Sequence, residues 1–282
     1  MSNEKRFQSA IFPHTPTPIP HPPSLEWRNI KLIISYDGTD FSGWQIQRNG
    51  RTVQGELEKA LQVIHKKHLQ VSGAGRTDAG VHAAAQCANF ITDIENIPPH
   101  NFVPALNGLL PHDVRIVSAE EVPPHFHARF SAKSRVYRYY IVSGRQAAPH
   151  EARYALQLWT KPSLSMLNAY ARLLHGETDC SLFASPSDPI FAKGTGSRCR
   201  YIHHAYFFIE NRQLVFEISA NSFFRRMVRS IIGTLLFYEG RETPPEAFKK
   251  ILLGGKRANA GPTAAPQGLF LWQVGYGGMG NG

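Results

Sequence analysis

The sequence predicts an α+β protein built from two similar halves, and two kinds of hydrophobic pattern support this fold class. Apolar residues alternate with other residues over 30–36 and again over 214–220, which is typical of strands. Over 53–64, after a plausible N-cap at Thr52, and over 162–174, apolar residues recur at helical spacing. Each half therefore contains strands and about two helices, which suggests a repeated ferredoxin-like unit.

Four segments are expected along the chain. Residues 1–28 carry six prolines among Thr and His, which is typical of a poorly ordered extension; a proline-rich ligand for a partner protein is the alternative. Residues 29–145 form the N-terminal half and residues 146–276 the C-terminal half, with a junction of weak periodicity over 142–161. Residues 277–282 form a glycine-rich tail.

The composition is that of a globular protein with a polyanionic partner. Lys and Arg outnumber Asp and Glu by 31 to 21, which favours nucleic acid as the partner without separating RNA from DNA or an anionic membrane. The sequence has no run of eighteen apolar residues and no secretory signal pattern. Its three cysteines lack metal-ligand spacing, so we expect a cytoplasmic protein without a disulfide framework.

The most specific local pattern is a glycine-rich loop within residues 72–86. Three glycines, Gly73, Gly75 and Gly80, surround the carboxylate of Asp78. Glycine reaches backbone angles that other residues avoid and lets another chain approach closely, so three of them suggest a loop shaped to present that carboxylate. Strand patterns on either side place the loop at the rim of a sheet, where functional sites tend to be built.

Two phosphate-binding motifs and a plain turn are the alternatives for this loop. A Walker loop ends in Gly-Lys-Ser/Thr, whereas this loop continues as Arg76-Thr77-Asp78, whose carboxylate would repel phosphate. A dinucleotide-binding fingerprint lacks its last glycine here, and the full match at 275–280 has no helix after it. A tight turn with a surface salt bridge is the simplest alternative. The local pattern favours a functional loop but names no reaction.

The string Gly75-Arg-Thr-Asp-Ala-Gly-Val-His82 closely resembles the signature of the anticodon-arm tRNA pseudouridine synthases, the TruA type. Four further blocks resemble the same family, in the right order, so that the resemblance covers roughly residues 29–276. These blocks are Tyr36-Asp-Gly with Gly43-Trp-Gln45, Phe126-His-Ala-Arg-Phe-Ser131 with Tyr137-Arg-Tyr139, Asn221-Ser-Phe-Phe-Arg-Arg-Met-Val-Arg229, and Ala264-Ala-Pro-Gln-Gly-Leu-Phe-Leu271.

The resemblance implies a fold and a reaction. The fold would be two ferredoxin/RRM-like halves joined through a central mixed, mainly antiparallel sheet with flanking helices. The N-terminal half would carry the catalytic loop, and the C-terminal half would complete the cleft. The family isomerises uridine to pseudouridine at tRNA positions 38–40 and acts as a homodimer. The reaction needs no redox change or outside energy, so no cofactor or metal is implied. The resemblance implies no membrane and no partner protein either.

The resemblance also implies roles for five residues. Asp78 would be the nucleophile or general base, since one carboxylate can serve either role at the sugar. Arg229 falls on the arginine that pairs with this aspartate and would stabilise its negative charge. Tyr137 and Leu269 would sandwich a uracil flipped out of the RNA, because a stacked base is unreachable. Arg76 would fill the gap or hold a flanking phosphate.

Three further interpretations concern helical and strand residues. A helix is expected from Phe224, with Arg225 and Arg229 four residues apart on one flank, so that both can project toward one place. The stretch 126–141 interleaves basic and aromatic residues, which could contact phosphates and bases or could simply be good strand formers. Trp44 is equally suited to a core position and to an RNA contact.

Ala184, Arg225 and Arg226 depart from the family's usual residues, Ala184 standing where an arginine is common. They leave open an active synthase with other or wider RNA targets. An inactive RNA-binding module would not need Asp78 and Arg229 together with Tyr137. A nucleotide hydrolase would need a phosphate lysine and metal carboxylates at Walker positions, which the sequence lacks.

Overall fold

The computed structural model describes residues 27–185 and 197–277, and within them ten strands form one sheet flanked by six α-helices. The strands are β1 (Arg28–Tyr36), β2 (Ser72–Gly73), β3 (His82–Thr92), β4 (Val114–Val122), β5 (Ala132–Ser143), β6 (Leu156–Leu158), β7 (Gly176–Asp179), β8 (Cys199–Glu210), β9 (Gln213–Ala220) and β10 (Leu269–Tyr276). The helices are α1 (Val53–His65), α2 (Phe102–Asn107), α3 (Pro149–Ala152), α4 (Leu164–Arg172), α5 (Met227–Glu239) and α6 (Pro245–Gly254). The predicted extension 1–28 and tail 277–282 lie outside the described residues, apart from 27, 28 and 277.

The same strand order occurs twice in the sheet. The full order is β4-β1-β3-β10-β5-β9-β8-β7, with β2 also paired to β3 and β6 to β5. Within residues 28–122 the order is β4-β1-β3-β2, and within 132–276 it is β10-β5-β9-β8. If the four strands of each set are numbered along the chain, both orders are 4-1-3-2. The predicted α+β fold with two ferredoxin-like halves is therefore confirmed.

In this repeat β5 is the first strand of the second unit, so the two units divide within 123–131. The sequence placed the division at 145/146, and that domain boundary stays a prediction. Most pairings are antiparallel, whereas β10 runs parallel to β3 and β6 parallel to β5. The sheet is thus mixed and mainly antiparallel, as expected.

The two units meet along one edge of β3. At one end of this edge β2 pairs with Ala88 and Asn89, and at the other end β10 pairs with His82 and Ala83. The chain between β2 and β3 contains Asp78. It has to leave the sheet at the point along β3 where pairing with β2 ends and pairing with β10 begins. The topology alone therefore puts the glycine-rich loop at the junction of the units.

One continuous cluster of buried apolar residues extends through both units and includes residues of the sheet and of the helices. Helix α1 begins as predicted, with the Thr52 hydroxyl accepting a hydrogen bond from the Gly55 amide at 3.3 Å. Its apolar stripe of Val53, Leu57 and Leu61 is buried. Trp44 is 2% exposed, which makes it a core residue. Among the described helices, none is long and apolar enough to cross a membrane.

The alternation of Leu69 and Val71 predicts the end of a strand before the glycine-rich loop, and this prediction is wrong. Leu69 and Val71 do not form a strand, because side chains of α1 satisfy the Val71 backbone. Glu58 accepts from its amide at 3.0 Å, and Gln54 donates to its carbonyl at 3.1 Å. Strand β5 begins at Ala132, after a turn in which the Ser131 amide donates to the His127 carbonyl at 2.9 Å.

Helix α5 begins at Met227, three residues after the predicted start at Phe224. Arg226, the N-cap residue, has a left-handed backbone with φ of 59°, which interrupts helical geometry before it. Arg225 therefore does not lie on the helix that carries Arg229.

Asp37 connects the first unit to the segment around α3. Its carboxylate accepts hydrogen bonds from Arg153 at 2.8 Å, from the Tyr154 hydroxyl at 2.9 Å and from the Thr39 hydroxyl at 2.6 Å. Burial alone would raise the pKa of Asp37, but these hydrogen bonds lower it from 3.8 to about 2. A carboxylate with a depressed pKa adds stability above its unfolded pKa, and this stability is lost as the pH falls through the folded value.

We predict that Asp37→Asn lowers the free energy of unfolding at pH 7 by about 1–2 kcal/mol, because charge-assisted hydrogen bonds to three side chains are lost. The difference from the intact protein should shrink as the pH falls from about 4 to about 2. Urea denaturation across that range measures it. Asp40→Asn is the control, since Asp40 is 72% exposed and 3.6 Å from the same arginine. An equal loss in the control, or a difference independent of pH, would contradict the prediction.

Candidate active site

The loop that presents Asp78 is bound by the loop that follows β1. The Trp44 amide donates to the Thr77 carbonyl at 3.2 Å, and the Gly80 amide donates to the Phe41 carbonyl at 3.3 Å. Gly43 lies against the Thr77 carbonyl with φ of +100°, and a Cβ on Gly43 would stand 2.6 Å from that oxygen. Glycine is therefore required at this contact. The block containing Trp44 supports the Asp78 loop from within the protein.

Buried side chains fix the same loop from below. The Tyr36 hydroxyl and the Thr77 hydroxyl are 2.8 Å apart in a hydrogen bond, and the Gln86 amide donates to the Gly75 carbonyl at 2.8 Å. Burial raises the pKa of Tyr36, so this phenol stays neutral. The loop is thus fixed one residue before Asp78 and again three residues before it.

Two arginines approach the carboxylate of Asp78 from different sides. Arg229 places Nη1 3.4 Å from Oδ2, and Arg225 places Nε 3.9 Å from Oδ1. The Arg229 side chain is 14% exposed and its Nε donates to the Ala264 carbonyl at 2.7 Å. The Ala264 amide in turn donates to the Arg229 carbonyl at 3.0 Å. These two bonds hold Arg229 in place against Asp78.

Tyr137 lies on β5 and is almost fully buried. Its ring meets Phe223 edge to face at a centroid distance of 5.2 Å. A Cβ on Gly75 would lie 4.0 Å from its hydroxyl, so the phenol ends beside the Asp78 loop. Burial raises the pKa of Tyr137 to about 12, with Arg135 opposing the shift and Asp78 adding to it. The hydroxyl is therefore neutral at physiological pH.

The other two predicted site residues flank this cluster. Leu269 is 5% exposed on β10 and pairs with Tyr139, while Leu271 pairs with Tyr137. Leu269 is thus the diagonal cross-strand neighbour of Tyr137, a relation that spans about 7–8 Å. Arg76 is exposed at the rim, where its Nε donates to Gln45 at 3.1 Å.

The sequence suggested phosphate contacts for the basic residues of β5, but the structure engages two of them inside the protein. Arg135 donates to four backbone carbonyls, including Ala74 at 3.0 Å and Asn221 at 2.9 Å, and so connects the Asp78 loop to the chain before α5. Arg138 pairs with Glu217 at 2.7 Å and lies 4.2 Å from the centre of the Trp272 ring. These contacts favour the alternative that the pattern serves the sheet.

His82, the last residue of the glycine-rich signature, is fully buried. Its Nδ1 accepts from the Gly38 amide at 3.0 Å, and its Nε2 donates to the Gln267 carbonyl at 3.1 Å. Burial lowers the pKa of His82, although Asp37 and the Gln267 carbonyl favour the protonated form. The imidazole is a neutral link between the loop after β1 and the start of β10.

The cluster around Asp78 therefore also contains Tyr36, Thr77 and Gln86, to which the sequence assigned no role. It contains Arg135 as an internal connection instead of a phosphate contact. Across residues 27–185 and 197–277, no group of three or more His, Cys, Asp or Glu side chains is arranged to hold a metal ion. The three cysteines are free, with Cys87 and Cys180 buried.

Comparison with known proteins shows which family the chain belongs to. The model of a tRNA pseudouridine synthase family matches residues 32–131 and 170–277. The tRNA pseudouridine synthase A of Treponema denticola is 50% identical over 258 residues, which cover 90% of this chain and 94% of that protein. The proteins of the same name from Treponema pallidum (strain Nichols) and Anoxybacillus flavithermus are 45% and 41% identical, over 83% and 88% of this chain and 84% and 99% of theirs. The chain belongs to the tRNA pseudouridine synthase family.

Proposed function

We propose that this protein isomerises uridine to pseudouridine in tRNA, with Asp78 as the catalytic carboxylate. The observation that carries the proposal is the rigid loop that holds Asp78 3.4 Å from Arg229 at the junction of the two units. Family membership and the names of the relatives support the same reaction. The formal net charge of +10 suits a polyanionic substrate.

The reaction breaks the bond between N1 of the uracil and C1′ of the ribose and joins C5 of the same base to C1′. The proton on C5 is lost and N1 gains one, so the product is an isomer of the substrate. Asp78 would act by attack at the sugar or by taking a proton from it, and both roles need a carboxylate oxygen that faces the substrate. Arg229 contacts Oδ2, whereas Oδ1 lies nearer the more exposed Arg225.

Binding of the uracil would involve Tyr137 and Leu269. The target base has to be flipped out of the RNA, at a cost of about a few kcal/mol. A neutral phenol fixed by Phe223 offers a flat face to the base, and Leu269 beside it offers an apolar one. Arg76, exposed next to Asp78, would fill the vacated space or hold a flanking phosphate.

The finer proposals follow from the resemblance of the sequence motifs. The target uridines would lie at positions 38–40 of the anticodon arm, the protein would act as a homodimer, and it would work in the cytoplasm. Other or wider RNA targets are the alternative, since Ala184, Arg225 and Arg226 depart from the usual residues.

We expect pseudouridine in the anticodon arm when unmodified tRNA is incubated with the intact protein. Asp78→Asn should slow its formation at least about 10³-fold, because the variant cannot act as nucleophile or base. Chemical mapping of pseudouridine along the whole tRNA measures both. Asp40→Asn, which changes an exposed carboxylate in the loop after β1, should leave the rate unchanged. Modification elsewhere in the tRNA would keep the reaction and replace the target, whereas binding without modification by the intact protein would refute the enzyme.

Arg229→Lys should reduce the single-turnover rate about 10²-fold and change tRNA affinity little. The single nitrogen of lysine cannot reproduce the two separate contacts that Nε and Nη1 of Arg229 make, so the carboxylate is positioned less precisely. Arg138→Lys is the control, because Arg138 is ion-paired and its neighbour Tyr137 faces the other side of the same strand. A rate equal to that of the control would show that Arg229 does not position Asp78.

A further inference from the structure

The second arginine beside Asp78 has a different environment from the first. The Arg225 side chain is 63% exposed, whereas that of Arg229 is 14% exposed. Arg225 precedes the left-handed residue Arg226 and lies outside α5. Its Nε is 3.9 Å from Oδ1 of Asp78, near the limit of an ion pair. The largely buried Arg229 thus lies closer to the carboxylate than the exposed Arg225 does.

An ion pair with this exposure contributes little to stability. Exposed pairs are worth about 0–1 kcal/mol, because water screens the charges and two side chains lose conformational freedom. A phosphate can accept two parallel hydrogen bonds from one guanidinium and binds it more strongly than a distant carboxylate does. A phosphate brought close to Asp78 can therefore compete for Arg225.

The proposed reaction brings such a phosphate to this place. Asp78 has to reach a ribose atom with an oxygen, and Oδ2 faces the fixed Arg229. We therefore expect the ribose to approach from the side of Oδ1, where Arg225 lies. A nucleotide within RNA carries a phosphate on each side of its ribose, so the approaching sugar brings two phosphates toward the same guanidinium.

We propose that Arg225 exchanges Asp78 for a backbone phosphate of the RNA when the target nucleotide enters. In the free protein its Nε lies 3.9 Å from Oδ1, and in the complex its guanidinium binds the phosphate next to the target ribose. The same movement would hold the RNA backbone and uncover the carboxylate oxygen that the reaction needs. This inference rests on the proposed function, because its ligand is the RNA substrate.

The test is the equilibrium affinity for unmodified tRNA, measured by direct binding at several salt concentrations. Arg225→Gln should raise the protein concentration for half-saturation about five- to tenfold. It should also reduce the slope of log affinity against log salt by about 0.7–0.9, the loss of one phosphate contact. Arg225→Lys keeps the charge and should keep the slope. Arg138→Gln also removes one positive charge, but from the face of β5 opposite Tyr137. It should change neither the affinity nor the salt slope.

A double-mutant cycle tests the exchange itself. In the Asp78→Asn protein, Arg225 no longer has to leave the Asp78 carboxylate, so Arg225→Gln should weaken tRNA binding about two- to fivefold more there than in the intact protein. Equilibrium binding to the same tRNA measures it. Equal losses in both backgrounds would refute the exchange, and a slope like that of Arg138→Gln would refute the phosphate contact. Both outcomes are read from tRNA binding, so they are distinguishable from a failure of the proposed function, which would show as an intact protein that forms no pseudouridine.

Discussion

The site depends on one edge of β3 being shared by strands from different units. Where β2 ends and β10 begins, the connecting chain has to leave the sheet, and Asp78 is carried on that excursion. An excursion at a junction would ordinarily be a loosely held loop. Here the Tyr36–Thr77 hydrogen bond and the backbone contacts from the preceding loop hold it, so the carboxylate lies at a fixed point between the units.

The same junction explains why some of the arginines form contacts inside the protein. The guanidinium of Arg135 donates hydrogen bonds to four backbone carbonyls and joins the Asp78 loop to the chain before α5. Arg229 is bound to Ala264, which lies just before β10. Arg135 thus connects the two units through Ala74, whereas Arg229 is anchored within the second unit and reaches Asp78 of the first. Hydrogen bonds hold both side chains in place. A basic composition is therefore not a count of RNA contacts, since two of these cations serve the geometry of the site.

The sequence predicted elements whose order comes from local pattern, and it failed where distant side chains decide. Alternation and helical spacing located β1, α1 and β9, and the signature string located Asp78. The absence of a strand at Val71 depends on Glu58 and Gln54, which no local pattern shows. The late start of α5 depends on the backbone of Arg226. Arg225 and Arg229 do meet at Asp78, but through a turn and a helix rather than along one helix face.

A catalytic carboxylate in an enzyme that acts on RNA has to meet two opposing requirements. Its charge has to be stabilised at a defined position, and one of its oxygens has to be free for the sugar. A single arginine held by the protein interior meets the first requirement, as Arg229 does through Ala264. A second arginine fixed equally firmly would defeat the second requirement, because it would compete with the substrate for Oδ1. The exposure of Arg225 removes this conflict, since a side chain in water can change partners at little cost in free energy.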